Sequence, residues 1–158
     1  MAYADYKFYI EKYYGDTVPE SDFDKYVDQA SDRIDMITFY RLVTGMPENE
    51  RSQTRIKKAV CALAEAIYQI DQIKKASMDT VGTVVREDGT VVSKAVSSVS
   101  SGSESISYAT GTSGSGVDIY SQAAASKESE NILLRQIATE YLAGVSNKEG
   151  INLLYAGI

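Results

Sequence analysis

The chain has 158 residues, 44% of them hydrophobic, with 16 basic and 22 acidic side chains and a net charge of -6. That is room for one domain with one core, and the acidic balance excludes the broad phosphate-neutralising surface on which tight nucleic-acid binding rests. Histidine is absent and cysteine occurs once, which removes histidine general bases, histidine zinc ligands, every histidine-dependent triad and any disulfide framework.

The first segment, Tyr3 to Tyr14, places Tyr6, Tyr9, Ile10 and Tyr13 at helical offsets. It reads as a short aromatic helix stopped at Gly15, the residue type that takes the left-handed conformation after a helix without a side-chain penalty. Pro19 to Asp24 then opens a second helix of about five turns, with Ser21 as its N-cap and acidic residues in the first turn facing the positive end of the dipole. Phe23, Val27, Ala30, Ile34 and Ile37 form its apolar stripe with Tyr26 and Tyr40 on the flank. Asp24, Lys25, Asp28, Asp32 and Arg33 form its solvated face, and Gly45, Pro47 and Asn49 end it.

A third helix is predicted over residues 51–77, with Ile56, Val60, Leu63, Ile67 and Ile70 as its stripe and alanines that permit close contact. Cys61 falls in this run and reads as core filling. A fourth helix is predicted over residues 124–142, with Ile132, Leu133, Ile137, Tyr141 and Leu142 on one side and Gly144 as its stop. The fold class expected is therefore mainly α, a small bundle of about four helices.

Between the third and fourth helices, residues 79–118 read as an inserted arm. Two valine-rich runs flank Asp88-Gly89, a β-hairpin signal. From Ser93 to Gly116, 16 of 24 positions are serine, glycine or threonine, too few apolar groups to offset the entropy of ordering, so this stretch is expected to be mobile on its own. Within it, residues 104–108 alternate like an edge strand, with Ile106 and Tyr108 as candidate contacts to a neighbouring chain. The end of the chain, residues 151–158, is apolar where termini are usually polar, and Leu153, Leu154 and Tyr155 read as a tail in want of a groove.

The remaining chemistry-bearing groups have plainer readings. Glu20, Asp22, Asp24 and Asp28 serve capping and the helix dipole better than acid–base work or cation binding. Residues 111–116 are glycine-rich but lack the Gly-Lys-Ser or Gly-Lys-Thr of a phosphate loop and read as linker. The pairs Lys57-Lys58 and Lys74-Lys75 read as solvated surface. No cofactor or metal is expected. Tyrosine is the unusual component, with 12 against three phenylalanines and no tryptophan. The cluster of Tyr3, Tyr6, Tyr9, Tyr13 and Tyr14 looks too dense for one small core and reads as an interface.

Taken in order, the segments YADYKFYIEKYYG (3–15), VPESDF (18–23), ASDRIDMIT (30–38), KKAVCALAE (57–65), ESISY (104–108), ATEYLAG (138–144) and LLY (153–155) resemble the head-tail connector, or adaptor, proteins of siphophages and related prophages of Gram-positive bacteria. The resemblance spans almost the whole chain. It implies a virion subunit of the phage neck, catalytically inert, that forms a ring of twelve beneath the portal protein and docks a downstream neck, stopper or tail-completion protein. The ring would extend the channel through which DNA passes as cargo without sequence-specific binding. It carries over no catalytic residues. The N-terminus has no basic-then-apolar leader and no window approaches 18 uninterrupted apolar residues, so the chain is expected in the host cytoplasm before assembly and away from membranes. The competing expectation is a non-enzymatic helical regulatory or binding module acting as a small oligomer.

Overall fold

Apolar stripes at a period of 3.6 residues dictate the architecture in the computed structural model, which describes residues 2–79, 81–85, 91–95, 99–101, 104–106 and 119–155. Helix α1 (Tyr6–Phe8) runs straight into a π-helical turn over Tyr9–Tyr13. α2 (Glu20–Ile37), α3 (Glu50–Asp79), α4 (Ile119–Ala125) and α5 (Lys127–Leu142) follow. The mainly helical bundle expected from the sequence is what forms.

α3 is the central element, packed against α2 on one side and against α4 and α5 on the other. Phe23, Val27, Ala30 and Ile34 of α2 meet Ile56, Val60 and Leu63 of α3 and Leu134, Ala138 and Leu142 of α5, all buried. Ala59, Ala64 and Ala66 are also buried, the small side chains that let neighbouring backbones approach. Each large aliphatic side chain removed from water in this way contributes about 1.5–3 kcal/mol. Ile70, Ala123 and Leu133 form a smaller cluster where α3, α4 and α5 meet.

Several boundaries differ from expectation, each for a local reason. The left-handed residue closing the first helix is Tyr14 (φ 62°), not Gly15. Gly15 is required for space instead, since a Cβ there would lie 2.0 Å from Cε2 of Tyr9. Ser21 is not the N-cap of α2. Pro19 occupies that position in extended conformation without a side-chain bond, and Glu20 and Asp22 complement the dipole from the first turn. α2 stops at Ile37, where the Thr38 hydroxyl folds back onto the Ile34 carbonyl at 2.8 Å. Turns fill residues 38–44, and Asn49 opens α3 rather than ending α2, its side chain accepting from the Arg51 amide at 2.8 Å. The fourth predicted helix, 124–142, is α5 with a start three residues later, and the short α4 before it was not expected. Ser126 separates the two and caps α5 by accepting from the Ser129 amide at 3.2 Å.

The arm enters between α3 and α4. β1 (Val81–Val85) pairs antiparallel with β2 (Val91–Ala95) in the register Val81↔Ala95 to Val85↔Val91. The predicted Asp88-Gly89 turn lies outside the described residues. β3 (Val99–Ser101) pairs antiparallel with β4 (Glu104–Ile106), so the expected edge strand forms one side of a two-stranded sheet. Most of the stretch expected to be mobile, including residues 107–116, lies outside the described residues.

The end of the chain folds back on its own bundle. Ser146 and Asn152 form an antiparallel bridge, the Leu153 amide donates to the Val145 carbonyl at 2.9 Å, and Leu153 is buried in the main core. Arg41 ties it down by donating to the Asn152 carbonyl at 2.8 Å.

Candidate interaction surface

A left-handed backbone costs an L-residue about 1–2 kcal/mol, because Cβ crowds the following carbonyl. Bulky side chains therefore rarely occupy it, and those that do are held there by their surroundings. Among the described residues, the non-glycine positions with positive φ are Tyr14 (62°), Phe39 (55°) and Tyr40 (59°). All are aromatic, and all are exposed, at 81%, 45% and 60% respectively.

The Tyr40 conformation is locked by its amide, which donates to the Asp35 carbonyl at 2.7 Å across the last turn of α2. The backbone reverses over Phe39 and Tyr40 and turns both rings outward. Met36 before them and Val43 after them are exposed as well. Beside Phe39 a shallow groove runs between the end of α2 and α5, lined by Arg33, Met36, Ile37, Asn131, Leu134 and Arg135. Arg135 also borders the neighbouring depression that holds the exposed Ile132. The Arg41 guanidinium lies 5.2 Å from the Phe39 ring centre, so the residue anchoring the chain end also supports this aromatic.

Two polar clusters hold the helices that frame the groove. Glu130 of α5 is nearly buried and meets Lys74 of α3 at 2.7 Å, Lys127 at 2.8 Å and Arg33 of α2 at 3.4 Å. Burial alone would raise its carboxyl, but hydrogen bonds from Lys127 and Lys74 outweigh it and hold the group below the ordinary glutamate range. Tyr26 of α2 donates to Asp71 of α3, which Lys75 joins at 3.1 Å. Those hydrogen bonds hold Asp71 below its ordinary value. Lys74 thus helps to hold α3 to α5, whereas Lys75 stays on the exposed surface as expected, in an ion pair with Asp71 one turn away, and the Lys57 ammonium sits 5.5 Å from the Phe8 ring centre.

Of the N-terminal tyrosines predicted to form an interface, Tyr9 is core, while Tyr3, Tyr6 and Tyr13 are half-buried against the core. Tyr9 is buried, and its hydroxyl donates to Glu65 at 2.7 Å while accepting the Thr17 and Val18 amides at 3.0 Å each. Burial raises its phenol to about 12. Tyr13 stacks on Tyr9 at 5.8 Å and donates to the other Glu65 oxygen at 3.2 Å. Tyr3 donates to Asp35 at 2.6 Å, and Tyr6 packs edge-on against Phe23 at 5.3 Å. Burial raises the phenols of Tyr3 and Tyr13 as well. The density is absorbed because Glu65 and Asp35 satisfy hydroxyls that would otherwise need water. Tyr14 is the member left exposed.

Of the tail candidates, Leu153 is core, Leu154 packs against it and Tyr155 is exposed. Ile106 ends β4 opposite Val99, and Tyr108 lies outside the described residues. Cys61 is buried, and burial raises its thiol to about 12, which suits packing and not nucleophilic chemistry. Among the described residues no group of three acidic or cysteine side chains is arranged to hold a metal ion, and no helix is long and apolar enough to cross a membrane.

Met36, Phe39 and Val43 escaped the sequence reading. Their signal is the stretch from residue 36 to 43, apolar or aromatic except at Thr38 and Arg41, which continues past the point where the α2 stripe ends. No protein-family model, curated protein or solved structure matches the chain.

Proposed function

We propose that this chain is a structural, non-enzymatic subunit of a tailed-phage neck, assembling head to tail into a ring between the portal and the downstream neck or tail-completion protein. The observation that carries the reading is the placement of the exposed left-handed aromatics. Tyr14 precedes the first turn of α2 and Phe39 and Tyr40 follow its last turn. The 18-residue helix between them in the chain is about 27 Å long. A closed ring needs two different complementary surfaces on every subunit, and this chain has apolar exposures toward opposite ends of one rigid element. The resemblance of its sequence to phage connector proteins supports the same role, and the strand pairs inserted between α3 and α4 supply an arm beyond the bundle.

The test is molar mass by light scattering over a concentration series, alone and with portal particles. Rings, or mass added to portal in fixed stoichiometry, are the expected result. A monomer or dimer at every concentration that ignores portal would overturn the reading in favour of a small binding module.

A further inference from the structure

The groove between α2 and α5 has a definable occupant. Its walls are apolar, with Met36, Phe39 and Leu134, and its rim carries Arg135, which is exposed and has no ion-pair partner among the described residues. Arg33, the other rim cation, is already engaged by Glu130 and Asn131. The site therefore suits an aromatic flanked by carboxylates. The chain presents such a feature at the other end of α2. Tyr14 projects at 81% exposure, and Glu11, Asp16 and Glu20 around it are exposed carboxylates against the single cation Lys12.

We infer that the groove receives Tyr14 of a second copy of this chain, its ring against Met36 and Phe39 and its acidic neighbours Asp16 and Glu20 beside Arg135. The inference rests on the head-to-tail ring reading and identifies the seat through which successive subunits join. The left-handed backbone at Tyr14 fixes the direction of its Cα–Cβ bond before contact, so only two side-chain torsions remain to be ordered on docking. A buried aromatic anchor ringed by charge is the usual form of an energetic centre at an interface.

The test uses the full chain in three forms: wild type, Tyr14→Gly and Arg135→Glu. Tyr14→Gly removes the anchor and suits the backbone, so its thermal transition is expected at or above that of wild type. Each variant alone is expected to associate about thirtyfold more weakly than wild type, both with itself and on portal particles. Mixed in equal amounts, they are expected to form a one-to-one dimer and nothing larger, because one retains the groove and the other the anchor. Adding Asp16→Lys and Glu20→Lys to Arg135→Glu is expected to restore assembly.

If wild type assembles and either variant assembles equally well, the seat is wrong while the ring reading stands. If both variants are impaired but fail to pair when mixed, the contact is not head to tail through these residues, and the seat is likewise overturned. If wild type remains monomeric at all concentrations and on portal, both readings fall together.

Discussion

The Tyr9 ring occupies the space where any side chain on residue 15 would have to stand, with the ring carbon Cε2 2.0 Å from the position of a Cβ on Gly15. Tyr9 cannot retreat, because its hydroxyl is bonded to Glu65 and to two backbone amides. Gly15→Ala is therefore expected to cost about 1–3 kcal/mol through overpacking, read from the urea midpoint. Tyr9→Phe keeps the ring but strands the Thr17 and Val18 amides, and is expected to cost about 2–4 kcal/mol.

Replacing an exposed left-handed aromatic by glycine relieves the Cβ clash and gives back part of the gain in unfolded-chain entropy. Tyr40→Gly is expected to stabilise the fold by about 0.5–1 kcal/mol, visible as a higher melting temperature. A loss of stability at Tyr40 would show that its ring supports the bundle.

Glu130 sets an acid limit. Its folded carboxyl titrates below the ordinary value of about 4.3, so its contribution is fully present above that value and is lost as pH falls through it toward the lowered folded value. Glu130→Gln is expected to lower stability at neutral pH by about 1–3 kcal/mol and to flatten the decline below about pH 4, measured by chemical denaturation across pH. Unchanged acid sensitivity would assign that decline to other carboxylates, Asp71 first.

Leu153 is buried beneath the returning chain end, so Leu153→Ala is expected to cost about 2–4 kcal/mol in denaturant unfolding. A tail serving only a partner would leave that midpoint unmoved.

The stripes of α2, α3 and α5 were legible because burial at every third or fourth position leaves a periodic trace. The short α4 was not, because seven residues carry too few turns for a periodic trace, and the start of α5 at Ser126 shows only once its hydroxyl finds the Ser129 amide. How the tyrosine cluster divides between core and surface was hidden for a related reason. What separates a core tyrosine from a surface one is a partner for its hydroxyl, and Glu65 stands 56 residues from Tyr9 and 52 from Tyr13. The surface at Phe39 and Tyr40 was hidden because left-handed residues are expected to be glycine, whereas here the bond from the Tyr40 amide to the Asp35 carbonyl overrides that preference. The hairpin strands were readable from valine runs around a turn dipeptide, a signal confined to a few adjacent residues.

The Ser126 break has a mechanical meaning. α5 begins with its own capped turn, the Ser126 carbonyl receiving the Glu130 amide at 3.0 Å, so its first hydrogen bonds owe nothing to α4. α4 is held mainly by Ala123 and the partly covered Tyr120. Were the short α4 to unwind, the first turn of α5 would keep its Ser126 cap and its own hydrogen bonds.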